Sequence, residues 1–374
     1  MARLNSTPHS HPAAQDGPPV SRKPGLPPTV ELSQSHPTLP RLRPAARVMR
    51  LGFVPLFDAA PLLVADALGM FETVGLRVAL SPEGSWATIR DKLAFSVLDG
   101  AHLLGPMPIA LAAGLGGVEA RLQVACGLSQ NGNGITLSNA LTGENLAARL
   151  RGLGRPAIFA MVFPFSSHNY LLRRWLVGQG VNPERDVRFT VVPPPRMAAR
   201  LADGEIDGFC AGAPWGAAAE ALGVGRVVAG TAEIWPNHPE KLLAFNAEYL
   251  ASHREQAVAA TAAIIAAARW LDDPDNREEA LRILAERALW PLSRAILASA
   301  FDATHCIRFR AATMPRRAEA AIWLGAMREA GHIPDGVPDA TALAPFQDSL
   351  WREAALRLNG PEPAPSESAK EPLP

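Results

Sequence analysis

Two successive blocks of alternating short apolar runs and helical patterns constrain the fold more than any other feature of the chain. The first block begins with the apolar run 48–54 and ends with the strand-like run 122–127; the second extends from 157–162 to Phe209 and Cys210. Short buried strands that alternate with helices are typical of parallel sheets joined by right-handed crossovers. Each block is therefore predicted to form one α/β unit.

Beyond the second block the strand pattern stops. From about Lys241 onward, residues 241–358 are alanine-rich and amphipathic, which predicts a mainly helical C-terminal region. Two α/β units followed by helices predict a two-lobed clamshell that holds its ligand between the lobes. In such sheets ligands bind at the carboxyl ends of the strands, so the residues that directly follow each strand are the candidates for a site.

The two ends of the chain differ in character from the middle. Residues 1–46 contain ten prolines and lack the continuous apolar segment of a signal peptide, which predicts a disordered leader and a cytoplasmic location. The predicted organisation is a leader at 1–46, the first part of lobe 1 at 47–130, lobe 2 at 131–238, the completion of lobe 1 with C-terminal helices at 239–358, and a disordered tail at 359–374.

Composition and motif spacing exclude several classes of protein. Lys plus Arg equals Asp plus Glu at 36 each, so the chain lacks the basic surplus of a nucleic-acid-binding protein. Three scattered cysteines and the absence of zinc-type spacing predict neither a disulfide framework nor a metal site. The apolar stretches 93–117 and 257–268 are too broken or too short to span a membrane. No catalytic motif is present, so neither an enzyme nor a cofactor is predicted.

Two predicted helix starts supply the first candidate site residues. Ser85 can cap a helix that begins with Trp86, which would leave free amides and the positive end of the helix dipole facing a ligand. Ser166 or Ser167 can cap a second helix with His168 in its first turn, where the dipole disfavours the charged imidazole and favours a neutral hydrogen-bond donor. The alternatives are a tryptophan buried in the core and a capped core histidine.

A lysine supplies the third candidate. Only four lysines stand against 32 arginines, and Lys92 and Lys241 are the two that lie outside the ends of the chain. Pro239 is predicted in the first turn of a helix, which places Lys241 near a helix N-terminus, where a cation is unfavourable unless an anion offsets it. A compact ammonium is not equivalent to the planar fork of arginine. The alternative is a solvated surface lysine.

The remaining candidates come from glycine-rich segments. Residues 129–136 are predicted to form a loop whose Asn133 and Gly134 present amide groups, although a simple two-glycine turn is the alternative. The spacing of that loop does not match a phosphate-binding loop. Residues 207–215 end the second block and bring Trp215 either to the cleft or into the core. One cation, one imidazole, amides and tryptophans suit the binding of a small, weakly hydrated anion rather than its chemical conversion.

Several segments, taken in order, resemble the nitrate- and bicarbonate-binding proteins of ABC transporters, and above all a cytoplasmic relative, the nitrate sensor that partners an RNA-binding antiterminator. The resemblance covers about residues 48–355 and is carried by Leu51–Pro61, Ser85–Lys92, Leu98–Pro108, Asn131-Gly132, Ser167-His168-Asn169 and His238–Lys241. It implies a type II periplasmic-binding-protein clamshell in which Trp86 and His168 line an anion pocket and Lys241 neutralises the anion. Asn133 stands where transporter relatives carry glutamine, and Ala213 stands where a glutamate often precedes Pro-Trp.

This resemblance implies three readings of the function. The first is a cytoplasmic nitrate or nitrite sensor that sequesters an antiterminator and contacts neither nucleic acid nor membrane itself. The second is the substrate-binding component of a nitrate or bicarbonate ABC transporter. The third is an enzyme similar to the thiamine-pyrimidine synthases, whose cysteine-rich segment this chain lacks. The absence of a recognisable signal peptide favours the sensor, and the sequence does not separate nitrate from nitrite or bicarbonate.

Overall fold

The computed structural model describes residues 47–287, 289–302 and 304–358, so the predicted leader at 1–46 and tail at 359–374 lie outside the described residues. The strands are β1 Met49–Phe53, β2 Val78–Pro82, β3 Gly100–Leu104, β4 Leu122–Gln130, β5 Asn133–Ser138, β6 Ala157–Met161, β7 Val187–Val191, β8 Gly208–Gly212, β9 Gly225–Gly230 and β10 Pro239–Asn246. The helices are α1 Ala60–Ala67, α2 Met70–Thr73, α3 Trp86–Ala94, α4 Met107–Ala112, α5 Leu146–Gly152, α6 Ser167–Gly178, α7 Pro194–Ala202, α8 Trp215–Ala221, α9 Thr231–Ile234, α10 Ala247–Leu271, α11 Arg277–Glu286, α12 Arg294–Ala298, α13 Arg317–Glu329, α14 Asp339–Ala342 and α15 Ser349–Arg357.

The strands form two sheets, one in each lobe. The first sheet has the order β2-β1-β3-β10-β4 and the second the order β7-β6-β8-β5-β9. Both sheets are mixed rather than parallel, because β10 runs antiparallel to β3 and β4, and β5 runs antiparallel to β8 and β9. Each of these two strands enters its sheet directly from the other lobe, so the helical crossover that makes neighbouring strands parallel does not apply to it. The predicted lobe boundaries themselves stay a prediction.

The prediction that Pro239 and Lys241 start a helix is wrong, because both lie in β10. This strand is buried along nearly its whole length between β3 and β4, and a central strand of this kind carries an unbroken apolar run such as 242–245. Proline is tolerated at the first residue of a strand. The helical C-terminal region therefore starts only at Ala247, where Asn246 caps α10 by accepting from the amide of Tyr249 at 2.7 Å.

The prediction of a loop at 129–136 is also wrong for most of its residues. Those residues form the end of β4 and the start of β5, and only Asn131 and Gly132 lie between the strands, with φ of 58° and 90°. Strand β9 was not predicted at all, because its glycines and alanine leave only two adjacent valines and no apolar run like those of the other strands. Strands β5 and β9 of the second lobe were therefore not predicted, because their amide-rich and glycine-rich sequences lack the apolar run by which a buried strand is recognised.

The chain passes between the lobes twice, at 130–132 and at 231–238. The backbone amide of Asn131 donates to the carbonyl of His238 at 3.1 Å, which ties the two passages together. The C-terminal segment 305–308 adds two backbone hydrogen bonds, of 2.8 and 2.9 Å, from the amides of the first passage. Among the described helices, none has the combination of length and apolar character that crossing a membrane requires.

Candidate functional site

Five fully or almost fully buried ionisable side chains lie where the two lobes meet, and we call them the central cluster: Asp58, His102, His168, Glu240 and Lys241. Asp58 follows β1, His102 lies on β3 and Glu240 and Lys241 lie on β10, all in the first lobe. His168 lies in α6, directly after β6 of the second lobe. The expectation that ligand residues follow the strands of α/β sheets therefore holds for Asp58 and His168, whereas the other three lie on the strands themselves.

Lys241 is the centre of this cluster and is not a surface lysine. Its ammonium contacts the Asp58 carboxylate at 2.7 Å and the Glu240 carboxylate at 2.6 Å, with no exposed surface. Burial alone would lower the pKa of Lys241, but the two carboxylates outweigh it and raise that pKa above its ordinary value. Burial likewise acts to raise the pKa values of Asp58 and Glu240, and the charge of Lys241 is the main cause that holds both below their ordinary values.

The first turn of α6 brings the second lobe against this lysine. Ser166 caps the helix by accepting from the amide of Asn169 at 3.2 Å, which confirms the predicted cap and the first-turn position of His168. The Ser167 hydroxyl donates to the Glu240 carboxylate, and His168 Nδ1 lies 3.8 Å from Glu240 Oε1. Burial, followed by the charge of Lys241, lowers the pKa of His168 to about 3. The imidazole is neutral as predicted, although burial rather than the helix dipole is the main cause.

Trp86 closes the cluster on the side of the first lobe. Ser85 caps α3 as predicted, accepting from the amide of Thr88 at 3.1 Å, so Trp86 is the first residue of that helix. The indole ring centroid lies 5.8 Å from Lys241 Nζ and 5.1 Å from the ring centroid of His102. The two interpretations of Trp86 are therefore compatible, since it is buried in the core and also borders the cluster.

Asn133 lies beside the cluster and Gly134 does not. A Cβ on Gly212, which pairs with Asn133 across β8 and β5, would lie 3.4 Å from Asp58 Oδ2 and 3.5 Å from Asn133 Oδ1. Successive residues of a strand face opposite sides. A Cβ on Gly134 would accordingly meet the side chain of His305 at 3.4 Å rather than the cluster.

Trp215 is the last of the predicted site residues. It begins α8, is buried, and belongs to the same hydrophobic core as Trp86. The structure thus brings Trp86, His168 and Lys241 together, places Asn133 beside them, and leaves Trp215 as a core residue whose role in the site stays a prediction.

Several hydrogen-bond donors around the cluster have no acceptor among the described residues. They are the indole N–H of Trp86, the side-chain amide of Asn133 and the single N–H of the neutral His168 ring, all of them buried. A buried donor without a partner costs about 1–3 kcal/mol, so several of them beside one ammonium indicate a ligand. Because an indole N–H can only donate, that ligand must carry acceptor atoms.

The sequence alone did not single out the acidic residues and two of the histidines. Asp58, His102, His238 and Glu240 stand within the segments that carry the resemblance, but no role was assigned to them. His238 Nδ1 lies 3.4 Å from Glu240 Oε2, so it too borders the cluster. The sequence did contain a signal for Glu240, since Glu240-Lys241 is followed directly by the apolar run 242–245. Charged residues next to such a run are buried with it, and buried charges must be paired with each other or with nearby groups.

Metal binding requires grouped ligand side chains, and nucleophilic catalysis by cysteine requires an activated thiol. In 47–287, 289–302 and 304–358, no three His, Cys, Asp or Glu side chains are grouped to hold a metal ion. Cys126, Cys210 and Cys306 are free, and burial raises the pKa of the Cys126 and Cys210 thiols well above its ordinary value. A thiol with a raised pKa is not an activated nucleophile.

A ligand site between two mixed α/β lobes, rich in donors and built around one lysine, defines a two-lobed binding protein. The chain belongs to the NMT1-like family, whose model matches residues 43–285. It aligns over 86% of its length with the crystal structure of the periplasmic nitrate-binding protein NrtA from Synechocystis PCC 6803, with 28% identity, a TM-score of 0.80 and 91% of that chain covered. The predicted periplasmic-binding-protein-like clamshell is thereby confirmed.

Two further relatives align with about two thirds of this chain. The bicarbonate-binding protein CmpA from Synechococcus sp. is 31% identical over 67% of this chain and 60% of its own length. The nitrate import ATP-binding protein NrtC from Synechocystis sp. is 38% identical over 63% of this chain, but only 36% of NrtC is covered. The alignments thus span about a third to three fifths of these relatives. The chain is homologous to the nitrate- and bicarbonate-binding proteins of ABC transporters.

Proposed function

We propose that this protein binds one small planar oxyanion of the nitrate, nitrite or bicarbonate class between its lobes. The observation that carries the proposal is the set of buried, unpartnered donors beside Lys241. The acceptor oxygens of such an anion match the N–H groups of Trp86, His168 and Asn133. Relatives named for binding nitrate and bicarbonate support the same class of ligand.

Calorimetric titration with nitrate, nitrite, bicarbonate and chloride tests this proposal. Trp86→Phe removes one donor, and loss of one hydrogen bond to a charged ligand should weaken binding about 10- to 100-fold. Trp351→Phe is the matched control, because it removes a buried and unpartnered indole N–H from α15, outside the cluster. Failure of the native protein to bind nitrate, nitrite or bicarbonate, whether or not chloride binds, would overturn the proposal.

For the role of this binding, we favour the substrate-binding component of an anion importer. CmpA and NrtC, which match over most of this chain, are named as a binding protein and an import protein, and NrtA is a periplasmic binding protein that shares the fold. A component of this kind would deliver the anion to a membrane permease. Co-purification with a permease encoded in the same genome, dependent on nitrate or bicarbonate, is the expected result.

The second candidate is a cytoplasmic sensor that sequesters an RNA-binding antiterminator. The similarity to part of NrtC favours this sensor. NrtC is named as an ATP-binding protein, and ATP is found in the cytoplasm, so a homologous region within NrtC would function in the cytoplasm. The equal numbers of acidic and basic residues fit a protein that leaves RNA to its partner. The sensor would release its partner when the anion binds.

Two measurements separate these roles. Fractionation of the native host places the protein either in the cytoplasm, as the sensor requires, or outside it. Size-exclusion chromatography with a co-expressed antiterminator should show a complex that dissociates on nitrate addition and persists in His168→Ala. A complex indifferent to nitrate, or no complex, would contradict the sensor and leave the importer component.

A further inference from the structure

The central cluster carries more negative than positive charge before any ligand enters. The pKa of Lys241 is raised and those of Asp58 and Glu240 are lowered, so one ammonium faces two carboxylates at neutral pH. Burial lowers the pKa values of His102 and His168, which leaves both imidazoles neutral. The buried cluster therefore holds a net charge of −1, which is the wrong sign for an anion site.

Five other ionisable groups face the Glu240–His168 pair, and their charges must be counted with it. They are Asp58 from the turn before α1, His102 from β3, Cys210 from β8, His238 from the second passage and Lys241 from β10. Burial lowers the pKa of His238 and raises that of the Cys210 thiol, so both are uncharged at neutral pH. None of these groups supplies a second positive charge.

We infer that the oxyanion enters this site together with one proton, which the Glu240–His168 pair takes up. The inference rests on the proposed function and specifies how the same site accepts its ligand. An oxyanion bound beside Lys241 would change the net charge of a fully buried cluster from −1 to −2, and a proton restores it to −1. Burial in a medium of low dielectric constant makes that compensation strongly favourable.

Geometry selects this pair as the proton acceptor. His168 Nδ1 lies 3.8 Å from Glu240 Oε1, and within the described part of the chain neither His168 ring nitrogen nor Glu240 Oε2 has a hydrogen-bond partner. His238 Nδ1 lies closer to Glu240, at 3.4 Å, but the Nε2 of His238 already has a partner in the Thr231 hydroxyl at 2.9 Å. At 3.8 Å the two groups of the Glu240–His168 pair do not share a hydrogen bond, but their charges interact, so proton uptake belongs to the coupled pair rather than to one residue.

Asp58 is less suitable as the proton acceptor, because His102 and Lys241 lie 3.2 and 2.7 Å from its two separate oxygens. In Glu240, by contrast, Lys241 and the Ser167 hydroxyl both contact Oε1.

One other buried carboxyl could be mistaken for the acceptor. Glu319 on α13 lines a small cavity together with Lys241, and burial raises the pKa of Glu319 to about 7. Its carboxylate forms an ion pair with Arg316 at 3.6 Å, and among the described residues no ion pair joins it to the central cluster. Glu319→Gln is therefore the matched control for Glu240→Gln.

The test counts protons directly. Nitrate is added at pH 7 to the native protein in an unbuffered solution, and the amount of acid needed to hold the pH constant is measured. Nitrate is the anion of a strong acid and takes up no proton itself, so the added acid equals the protons bound by the protein. Chloride serves as the salt control. Uptake of about one proton per bound nitrate is expected, together with a Kd that rises about tenfold per pH unit between pH 6 and 8. Glu240→Gln should still bind nitrate but with little proton uptake and a Kd almost independent of pH, whereas Glu319→Gln should behave like the native protein.

Each alternative outcome has a defined meaning. Nitrate binding without proton uptake by the native protein overturns the inference alone, as does uptake that is unchanged in Glu240→Gln. Binding that requires an added divalent cation, abolished by a chelator, also overturns it, because the cation would then be the compensating charge. If no oxyanion binds at any pH, the proposed function fails and the inference with it. Should Glu240→Gln not fold, the pH dependence of the native Kd still decides.

Discussion

At the scale of single residues, the structure changes the meaning of Lys241. The sequence predicted that only a bound anion would neutralise the charge of Lys241. In the folded chain, two carboxylates already contact this ammonium. Removal of one partner from a buried ion pair is more damaging than replacement of the whole pair, because it leaves uncompensated buried charge. Lys241 therefore contributes to the stability of the fold as well as to ligand binding.

Substitution of this lysine should show both roles. Lys241→Ala should lower the free energy of unfolding by about 3–5 kcal/mol at pH 7, because Asp58 and Glu240 lose their common cation. The loss should become smaller near pH 4, where the two carboxyl groups of the variant take up protons. Urea unfolding of variant and native protein at both pH values measures it. A variant as stable as the native protein would contradict these buried ion pairs.

The neutral state of His168 gives a second prediction at this scale. Its pKa is about 3 in the folded chain and about 6.5 in the unfolded chain, so only the unfolded state takes up a proton as the pH falls below 6.5. Stability is therefore complete above pH 6.5 and is lost progressively towards pH 3. In the absence of added anion, His168→Gln should lose about 2 kcal/mol less than the native protein between pH 7 and pH 5, as measured by urea unfolding. Parallel profiles would contradict a buried neutral imidazole.

At the scale of elements, the sequence predicted those features that depend on local pattern. Ser85 and Ser166 cap helices because a hydroxyl followed by an apolar helical pattern is a local signal. Strand β10 was mistaken for a helix because its central place between β3 and β4 removes the alternation by which strands are recognised. The pairing of Asp58 with Lys241 could not be predicted, since it depends on where β10 enters the sheet.

Glycines on two strands allow the C-terminal segment to approach both lobes. A Cβ on Gly127 of β4 would overlap the backbone carbonyl oxygen of Ala312, and one on Gly230 of β9 would overlap that of Thr304. Gly127→Ala should therefore displace the segment and lower stability by about 1–3 kcal/mol. Thermal or urea unfolding of the purified variant measures the effect.

Gly325→Ala is the control for that prediction. Gly325 lies inside α13, and apart from its chain neighbours and the helix's own backbone no atom of the described residues lies within 4 Å of a Cβ built there. Alanine in a helix interior should raise stability by about 0.5–1 kcal/mol relative to glycine. A Gly127→Ala variant as stable as Gly325→Ala would mean that the C-terminal segment does not pack closely against β4.

At the scale of the whole molecule, the ligand donors are divided between the lobes. Trp86 and Lys241 belong to the first lobe, whereas Asn133 and His168 belong to the second. The Ser167 hydroxyl, which donates to the Glu240 carboxylate, already joins the lobes beside the site. An anion that contacts donors of both lobes binds completely only when the lobes are closed, so it must shift the population of lobe arrangements towards closure.

The size of that shift follows from the donors. A change from mostly open to mostly closed needs about 5.5 kcal/mol of preference for the closed state. Hydrogen bonds to a charged ligand contribute about 1.5–3 kcal/mol each, so the two donors Asn133 and His168 of the second lobe come close to that value and either one alone does not.

Saturating nitrate should therefore lower the radius of gyration of the native protein in small-angle X-ray scattering. In His168→Ala the same saturation should produce a smaller decrease, because half of the second-lobe donors are lost. An unchanged radius of gyration in the native protein, with nitrate binding established by calorimetry, would mean that the lobes are closed before the anion arrives.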